Sequence, residues 1–415
     1  MSTIVIVAVG SHGDVAPLTG VGVRLQQAGH HVVVASYGVF ADLIIDCGLE
    51  FRELVQDLAV ATDLSDVPPL EIAKAFAAFL APSGMRSMGD ALLTALRDEP
   101  ADLLLLSPFA EFAGHPLAEA RGIPSIAMRL QPLSATAEYP PAVLGCWSAG
   151  RYGNRAAARC GEWVIDRFYA RTVNSFRAKL GLPADSPRRL RRRRTDGHWP
   201  ILYGYSPSVL SRPADWRPGI DVVGYWWPAR PGSWQPPAEL TAFLDAGPAP
   251  VVVGFGSLVN SKADADRMSA VVVQALRAAG TRGVIQSGWT GLEVSGADML
   301  TIGAVPHDWL FARAAAVVHH CGAGTAAAGL RAGIPAVAVP SGVGDQPFWS
   351  RRLHILGVSA ATISHRRLTV DRLASAVRMA VTQPRFRDSA AHVAAQIAAE
   401  DGAGRAACVI EQILG

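Results

Sequence analysis

A turn in the second half of the chain combines residue types that can hold a diphosphate. The segment VVHHCGAGT runs from Val317 to Thr325, so an apolar run ends in two histidines before small residues open a helical pattern. Small residues let backbone N–H groups approach a ligand, and a helix N-terminus adds a partial positive charge of about half an electron. His320 can donate a ring N–H and Thr325 a hydroxyl. The alternative is a tight strand-to-helix turn around a core histidine.

A carboxylate and an amide stand side by side further along the chain, at Asp345 and Gln346. A carboxylate accepts hydrogen bonds from two adjacent hydroxyls, and an amide both donates and accepts. The pair can therefore bind a ligand with adjacent hydroxyls. A helix cap before Pro347 is the alternative interpretation.

The loop after the first apolar run offers two candidate general bases, His12 and Asp14, within the sequence GSHGDVAP. A neutral hydroxyl is a poor nucleophile, and removing its proton as a bond forms contributes typically 10²–10⁴-fold to a rate. His12 has the better reference pKa for a base near neutrality. Asp14 is closest to the predicted helix start, where the dipole favours its anionic form. A helix cap at Asp14 and a solvent-facing histidine at His12 are the competing interpretations.

Two successive alternations of strands and helices position these residues. In the first half we predict strands at residues 4–9, 31–35, 102–106, 126–130, 201–206 and 220–223. Helical spacing follows the first strand and recurs at residues 70–80 and 89–96, while residues 131–175 are predicted as irregular insertions and helices around a pocket. In the second half the predicted strands are residues 251–255, 283–286, 299–302, 316–319 and 336–339. Helices are expected to begin near Asp266, Leu310, Thr325 and Gln346.

A proline-rich stretch separates the two halves. It contains Pro228, Pro231, Pro236 and Pro237, which is typical of a linker. The sequence thus predicts an α/β protein of two facing Rossmann-like domains, residues 1–226 and 239–395, joined by residues 227–238. A C-terminal helix in residues 396–415 is expected to pack back on the first domain. Ligands bind at the C-terminal ends of strands in such sheets, so the cleft between the domains is the expected site.

The stretch from Val305 to Gln346 resembles the donor-binding signature of family 1 glycosyltransferases. It reads VPHDWLFARAAAVVHHCGAGTAAAGLRAGIPAVAVPSGVGDQ. Bacterial members that glycosylate antibiotic aglycones, and the sterol glucosyltransferases, carry a similar histidine-glycine-threonine turn and a downstream Asp-Gln or similar pair. The resemblance implies the GT-B fold and an inverting, metal-independent enzyme. It also implies that the first domain binds the acceptor and the second binds the nucleotide sugar.

The same resemblance implies roles for individual residues. The donor phosphates would be held by Ser11, Gly256, Ser257, His320, Gly322, Ala323, Gly324 and Thr325, and the donor sugar by Asp345 and Gln346. The GSHGDVAP loop resembles the GxRGDVxP loop of the antibiotic and sterol branches, in which an aspartate aligned with Asp14 is the candidate base. His12 replaces the usual arginine there, which leaves the base open between His12 and Asp14.

Recognition of the nucleotide base is the least specified part of the resemblance. Plant members place a tryptophan near position 304 and this chain has Ala304, so backbone atoms near Val305 and His307 are expected to bind the base. Trp289, in a segment similar to one of the sterol-like branch, is a further candidate or a packing residue. Both uracil and thymine are candidates for the base of the donor nucleotide. For the acceptor, aromatic density between strand ends predicts an apolar pocket walled by Phe109, Phe112, Met128, Tyr139, Trp147 and Tyr152.

Composition excludes several other classes. The formal charge is only +3 over 415 residues, so a nucleic-acid partner is not expected. Five scattered cysteines without a CxxC pair fit a cytoplasmic protein with no zinc site, and there is neither a signal peptide pattern nor an apolar run of the ~18 residues that span a membrane. Asp264 and Asp266 match a metal-binding DxD but stand at a predicted helix start, so no metal and no cofactor beyond the UDP- or dTDP-linked co-substrate are expected. The arginine run from Arg188 to Arg194 is interpreted as a solvated loop, with peripheral contact to anionic membranes as the less favoured alternative.

The favoured function is therefore transfer of a hexose from a UDP- or dTDP-linked donor to a hydroxyl of a polyketide, sterol or terpenoid. A nucleotide-sugar epimerase of the same fold is one alternative, and it would need no lipophilic acceptor pocket. A binding or helper homologue that has lost catalysis is the other. The set formed by Asp14, His320, Asp345 and Gln346 argues against the helper.

Overall fold

A computed structural model describes residues 1–55, 69–145, 147–256, 262–287, 294, 296–342 and 344–415. Its first sheet has seven strands in the order β3-β2-β1-β4-β5-β6-β7, all paired in parallel. The strands are β1 (Thr3–Val7), β2 (His31–Ser36), β3 (Glu50–Glu53), β4 (Leu103–Leu106), β5 (Ser125–Arg129), β6 (Ile201–Tyr203) and β7 (Ile220–Val222). Apolar runs such as that of β1 form strands because both faces of a parallel sheet are covered by helices.

Seven α-helices accompany this sheet in the described part of the first half. They are α1 (His12–Gln27), α2 (Ala41–Ile45), α3 (Pro69–Leu80), α4 (Pro82–Ala95), α5 (Glu111–Arg121), α6 (Gly150–Lys179) and α7 (Pro187–Asp196), with short 3₁₀ turns at Gly38–Phe40 and Ala142–Leu144. The 30-residue α6 is longer than the sequence pattern indicated. The interpretation of the arginine run as a loop is wrong, because these residues form α7, and Ser186 caps it by accepting from Arg189 N–H at 3.3 Å.

The second sheet has six parallel strands in the order β10-β9-β8-β11-β12-β13. They are β8 (Val251–Gly254), β9 (Gly283–Gln286), β10 (Met299–Ile302), β11 (Ala316–His319), β12 (Ala336–Ala338) and β13 (Ser359–Thr362). Around it lie α8 (Ala238–Asp245), α9 (Lys262–Ala279), α10 (His307–Phe311), α11 (Ala323–Ala332), α12 (Gln346–Ile355), α13 (Val370–Thr382) and α14 (Pro384–Ala398), with a 3₁₀ turn at His365–Arg367. The five predicted strands of this half are confirmed to within one residue. Two facing parallel α/β sheets confirm the predicted fold class.

The final helix, α15 (Gly402–Leu414), returns to the first sheet. Its buried residues Ala406, Ala407 and Ile410 belong to the same apolar cluster as Ile4 and Ile6 of β1. Gly402 allows the crossing, because a Cβ there would lie 2.3 Å from the carbonyl oxygen of Tyr225. The chain therefore connects the two sheets twice, once before α8 and once after α14.

Side chains also join the two halves directly. The ring of Tyr139 packs on Phe348 of α12 with centroids 5.6 Å apart, and the Glu400 carboxylate accepts from the hydroxyls of Ser206 and Ser208 at 2.7 and 2.9 Å.

Within the described residues, no helix is both long and apolar enough to cross a bilayer.

Candidate active site

The loop between β1 and α1 holds Asp14 in a fixed position. Ser11 is the N-cap of α1, and Asp14 reaches back so that its Oδ2 accepts from the backbone N–H and the hydroxyl of Ser11, both at 2.8 Å. Only glycine fits at position 10, because its φ is +148° and a Cβ would lie 2.6 Å from the Asp14 carboxylate. Asp14 thus occupies the third position of the helix rather than its cap.

Burial raises the pKa of the Asp14 carboxyl, although the hydrogen bonds from Ser11 and the Gln131 side chain oppose the shift. The sequence argument expected the helix dipole to favour the anion. The structure gives the opposite balance, because loss of hydration at the cleft outweighs the donors around the carboxylate.

His12 lies two residues before Asp14, with its side chain exposed and its ring 6.5 Å from that of Phe40. Partial loss of hydration by burial lowers the pKa of His12, so the imidazole is neutral over a wider pH range than a free histidine. His12 is also close enough to His307 to lower the pKa of that ring.

The turn after β11 has the form predicted for a phosphate site. Gly322 caps α11, and the first bond of that helix runs from Ala326 N–H to the Gly322 carbonyl, so the N–H groups of residues 323–325 have no partner within the helix. Gly324 has open space around it. Cys321 has a φ of +67°, which turns the chain sharply at the end of the strand.

The His320 ring fills the space left by two glycines. A Cβ at Gly256 would lie 2.4 Å from its Cε1 atom, and one at Gly322 would lie 2.5 Å from its Nε2 atom. Burial lowers the pKa of His320 to about 4, against the opposing effect of the nearby Gly254 carbonyl. The ring is therefore a neutral hydrogen-bonding group at the head of α11. The neighbouring His319 is a core residue whose Nδ1 accepts from Cys321 N–H at 3.2 Å.

The Asp345-Gln346 pair opens α12. The Asp345 carboxylate accepts from the indole N–H of Trp349 at 2.7 Å, and the Gln346 carbonyl oxygen accepts from the backbone N–H and hydroxyl of Ser341 at 2.9 and 2.7 Å. Asp345 occupies the N-cap position without making a side-chain cap hydrogen bond. The cap explanation therefore does not account for its side chain.

One cavity of about 910 Å³ joins the two halves. Asp14 from the first half and Gly344 and Asp345 from the second all line it. Burial raises the pKa of Asp345, and the negative charge of Asp14 adds to the shift, so the two carboxylates face a common space. This places the candidate base beside the candidate sugar-binding pair.

The described residues predicted to bind the nucleotide base are buried or contact other side chains. Val305 is buried, and the His307 ring stacks on Phe311 at 4.7 Å with its Nε2 3.2 Å from the Gln286 side-chain oxygen. Burial first, then His12 and His320, lower the pKa of His307 to about 4. His12 and His320 are thus near enough to His307 to influence its charge state. Ser257 and Trp289 lie outside the described residues.

The structure puts the six residues predicted for the acceptor wall in different surroundings. Phe109 and Phe112 line the cavity. Met128 does not, because side chains alternate along β5 and Met128 faces the core cluster on the other side of the sheet. Tyr139 packs at the interface of the two halves, and Trp147 and Tyr152 are 44% and 95% exposed on the surface. These four are not part of the cavity lining.

Charged residues that the sequence argument missed line the inner part of the cavity. Arg129 forms two hydrogen bonds of 2.7 Å with the Glu111 carboxylate, and Arg191 of α7 binds Asp166 at 2.7 Å. The arginine run carried the signal, since its members recur at helical spacing and one face of α7 points inward. No group of three potential metal-ligating side chains occurs among the residues that the structure describes, and Asp264 lies in the first turn of α9.

Comparison with known proteins identifies the family. Residues 293–410 match the family described as erythromycin biosynthesis protein CIII-like, C-terminal domain. The O-mycaminosyltylonolide 6-deoxyallosyltransferase of Streptomyces fradiae is 32% identical over 431 residues, which cover 99% of this chain and 97% of that enzyme. The chain belongs to this glycosyltransferase family. The predicted resemblance is confirmed.

Sterol-acting members of the family are equally similar in sequence. A sterol 3-beta-glucosyltransferase of Arabidopsis thaliana is 32% identical over 421 residues, which cover 96% of this chain. The chain spans 63% of that plant protein, and smaller shares of several fungal relatives such as the one from Neurospora crassa, at 26%.

Solved structures place the fold among the GT-B glycosyltransferases. The glycosyltransferase of kitacinnamycin has a TM-score of 0.71 and 22% identity, with 100% of this chain and 99% of that chain covered. A glycosyltransferase crystallised with dTDP has a TM-score of 0.70 and 18% identity, with 99% of each chain covered. At these identities the likeness concerns the fold.

Proposed function

We propose that this protein transfers a sugar from a nucleotide-linked donor to a hydroxyl of a lipophilic small molecule. The observation that carries the proposal is the single cavity lined by Asp14 from one half and Asp345 from the other. A base and a sugar-binding pair on opposite walls of one space suit a reaction between two substrates. An epimerase would need only the donor side of that space.

In this proposal the acceptor occupies the part of the cavity inside the first half, lined by Phe109, Phe112 and Tyr169. The donor lies across the cleft with its diphosphate at the N-terminus of α11 and its hexose hydroxyls at Asp345 and Gln346. The phosphate set is that of the sequence analysis, Ser11, Gly256, Ser257, His320, Gly322, Ala323, Gly324 and Thr325. The nucleotide base of the donor lies near Val305, His307 and Trp289 in this proposal.

The reaction is a direct displacement at the anomeric carbon. The acceptor oxygen forms a bond to that carbon on one face, while the bond to the phosphate oxygen breaks on the other and its electron pair leaves with the nucleoside diphosphate. The acceptor proton passes to the Asp14 carboxylate. One displacement inverts the anomeric configuration. A raised pKa makes Asp14 a stronger base than an ordinary carboxylate.

The departing diphosphate gains negative charge, and the free N–H groups of residues 323–325 are aimed at the place where it develops. The neutral His320 ring and the Thr325 hydroxyl add hydrogen bonds. These fixed donors supply the stabilisation that a bound cation gives in other enzymes, and we propose transfer without a metal ion.

The proposed acceptors are sterol-like or polyketide alcohols, and the proposed donors are UDP- or dTDP-linked hexoses. Relatives named for a sterol and for a macrolide support the first, and a structural relative crystallised with dTDP supports the second. The cavity volume of about 910 Å³ is within the range that holds a molecule of this size.

The test is incubation of the full chain with UDP-glucose or dTDP-glucose and a panel of hydroxylated steroids, macrolides and terpenoids, with and without EDTA. We expect an acceptor to gain the mass of one hexose, with equal yield in EDTA. A donor converted to its epimer without acceptor modification would favour the epimerase. Donor binding without any product would favour a helper protein.

A further inference from the structure

The cavity extends along the first sheet from the C-terminal ends of its strands to their N-terminal ends. We call each of these two sides of the sheet an edge. Gln131 follows β5 and Asp14 follows β1, so both mark the C-terminal edge. Trp199 and Arg217 precede β6 and β7 and mark the N-terminal edge. The five residues of β5 separate these edges by roughly 16 Å. An acceptor that fills the cavity therefore has an inner end far from the hydroxyl that receives the sugar.

Two other arginines of the cavity lining are paired with carboxylates. Arg129 is held in a fork by Glu111. Arg191 binds Asp166 and Glu162, each at 2.7 Å. These three carboxylates are therefore engaged by Arg129 and Arg191, although the charges of Glu111 and Asp166 still act on Arg194 from a distance.

Arg194, one helical turn from Arg191, has no such partner. It lines the cavity and is partly buried, and among the described residues its guanidinium makes no hydrogen bond or ion pair. It lies 5.6 Å from the centre of the Trp199 ring. Arg217, also at the cavity wall, donates only to the neutral backbone carbonyls of Pro218 and Trp199. Arg194 and Arg217 thus lie at this end of the cavity without a carboxylate partner among the described residues.

The pKa values of Arg194 and of the neighbouring His115 are both lowered. Burial lowers the pKa of Arg194, and the closeness of Arg191 and Arg129 adds to the shift against the attraction of Glu111 and Asp166. Burial lowers the pKa of His115 to about 4, and Arg194 contributes next. A cation held in such surroundings is costly until an anion pairs with it.

We propose that the acceptor carries an anionic group, of the carboxylate class, which binds Arg194 at the inner end of the cavity. A planar guanidinium matches a carboxylate through two parallel hydrogen bonds. The acceptor is then a lipophilic hydroxy acid, with its hydroxyl at Asp14, its apolar body along Phe109, Phe112 and Tyr169, and its carboxylate at Arg194. This inference rests on the proposed transferase function and specifies its acceptor class.

The test compares a steroid that carries a 3β-hydroxyl and a side-chain carboxylate with the methyl ester of the same compound. Both are titrated calorimetrically into the full chain. We expect the acid to bind at least about tenfold more tightly, because its carboxylate accepts charge-assisted hydrogen bonds from Arg194 that the ester cannot form as strongly. Equal affinities, or binding of neither compound, would overturn the proposal, and this comparison requires no variant.

The variant arm uses Arg194→Met with Arg188→Met as its matched control. Arg188 is an exposed residue of the same helix that does not line the cavity. We expect Arg194→Met to lose the preference for the acid while its affinity for the ester is unchanged, and Arg188→Met to behave like the wild type. Retention of the preference in Arg194→Met, with the protein folded by circular dichroism, would contradict the assignment.

Failure of this inference is distinguishable from failure of the transferase proposal. UDP and dTDP binding, and sugar transfer to neutral steroids, are measured in the same preparations. Transfer to neutral steroids with no advantage for the acid would remove the anion site alone. Preferential binding of the acid with no transfer from any donor would retain the anion site and remove the transferase function.

Discussion

At the scale of single residues, the proposed site depends on Asp14, which the backbone at Gly10 and the hydroxyl and N–H of Ser11 hold in one position. His12 shares the loop but is exposed and has a lowered pKa. The two candidate bases are therefore unequal. We propose the carboxylate as the base, because it lines the same cavity as Asp345.

Replacing Asp14 by asparagine is expected to lower the single-turnover transfer rate at least ~100-fold, because the nearly isosteric amide cannot take the acceptor proton. Affinity for UDP or dTDP is expected to change little, as measured by calorimetry. His12→Ala serves as the comparison and is expected to cost less, mainly in binding. The reverse ranking would assign the base role to His12.

The pH dependence of kcat/KM reports the same assignment. The base must be unprotonated, and burial raises the pKa of Asp14 from its ordinary 3.8, so activity is expected to fall with decreasing pH while still above that value. The acid limb should disappear in Asp14→Asn and persist in His12→Ala. An acid limb that is absent only in His12→Ala would contradict this account.

His320→Ala is expected to weaken binding of UDP or dTDP about tenfold or more, because a hydrogen bond to a charged diphosphate is lost. Calorimetry measures the effect. His392→Ala is the control, since His392 is an exposed residue on α14. Unchanged nucleotide binding in a folded His320→Ala protein would remove this residue from the proposed phosphate site.

Residue types and spacing predicted the polar groups at the strand ends, because those turns have strong local constraints. The acceptor wall was less accessible to the same reasoning. Aromatic density does not distinguish Phe109, which lines the cavity, from Tyr152, which is exposed. Alternation along β5 would have assigned Arg129 rather than Met128 to the cavity, since Ile126 and Met128 share the opposite face.

At the scale of elements, the strands with apolar runs were predictable, whereas β3 and β13 were not, although they have four residues each, like β4 and β8. The edge strand β3 has the sequence EFRE, whose charges are typical of an exposed edge, and β13 has the sequence SAAT. The helix α7 was missed because an arginine run has no apolar stripe. Its stability comes instead from the Ser186 cap and from ion pairs such as those of Arg191 with Glu162 and Asp166.

The final helix offers a test at this scale. Ile410 of α15 is completely buried against the first sheet. Ile410→Ala is expected to lower the free energy of unfolding by about 2–5 kcal/mol, because the shortened side chain leaves a cavity. Calorimetric Tm values provide the measurement, with Arg405→Ala, an exposed residue of the same helix, as the control. Equal Tm values for the two variants would show that α15 does not stabilise the first half.

At the scale of the whole molecule, one buried apolar cluster contains residues of both sheets, such as Val5 of β1 and Ala338 of β12, and the proposed reaction needs both halves. Asp14 and Asp345 reach one cavity only because α12 packs against the first half through Phe348 and Tyr139 and because α15 fixes the return of the chain. The sequence predicted two facing domains from their alternating patterns. It did not predict the charged inner end of the cavity, which is assembled from α5, α6, α7 and β5.

A crystal structure of the complex with a nucleoside diphosphate and a hydroxysteroid bound together tests the central claim most directly. We predict the diphosphate at the N-terminus of α11 beside His320, and the steroid in the cavity with its hydroxyl oxygen about 2.6–3.2 Å from the Asp14 carboxylate. A steroid bound outside the cavity, or a hydroxyl turned away from Asp14 with the nucleotide in place, would contradict it.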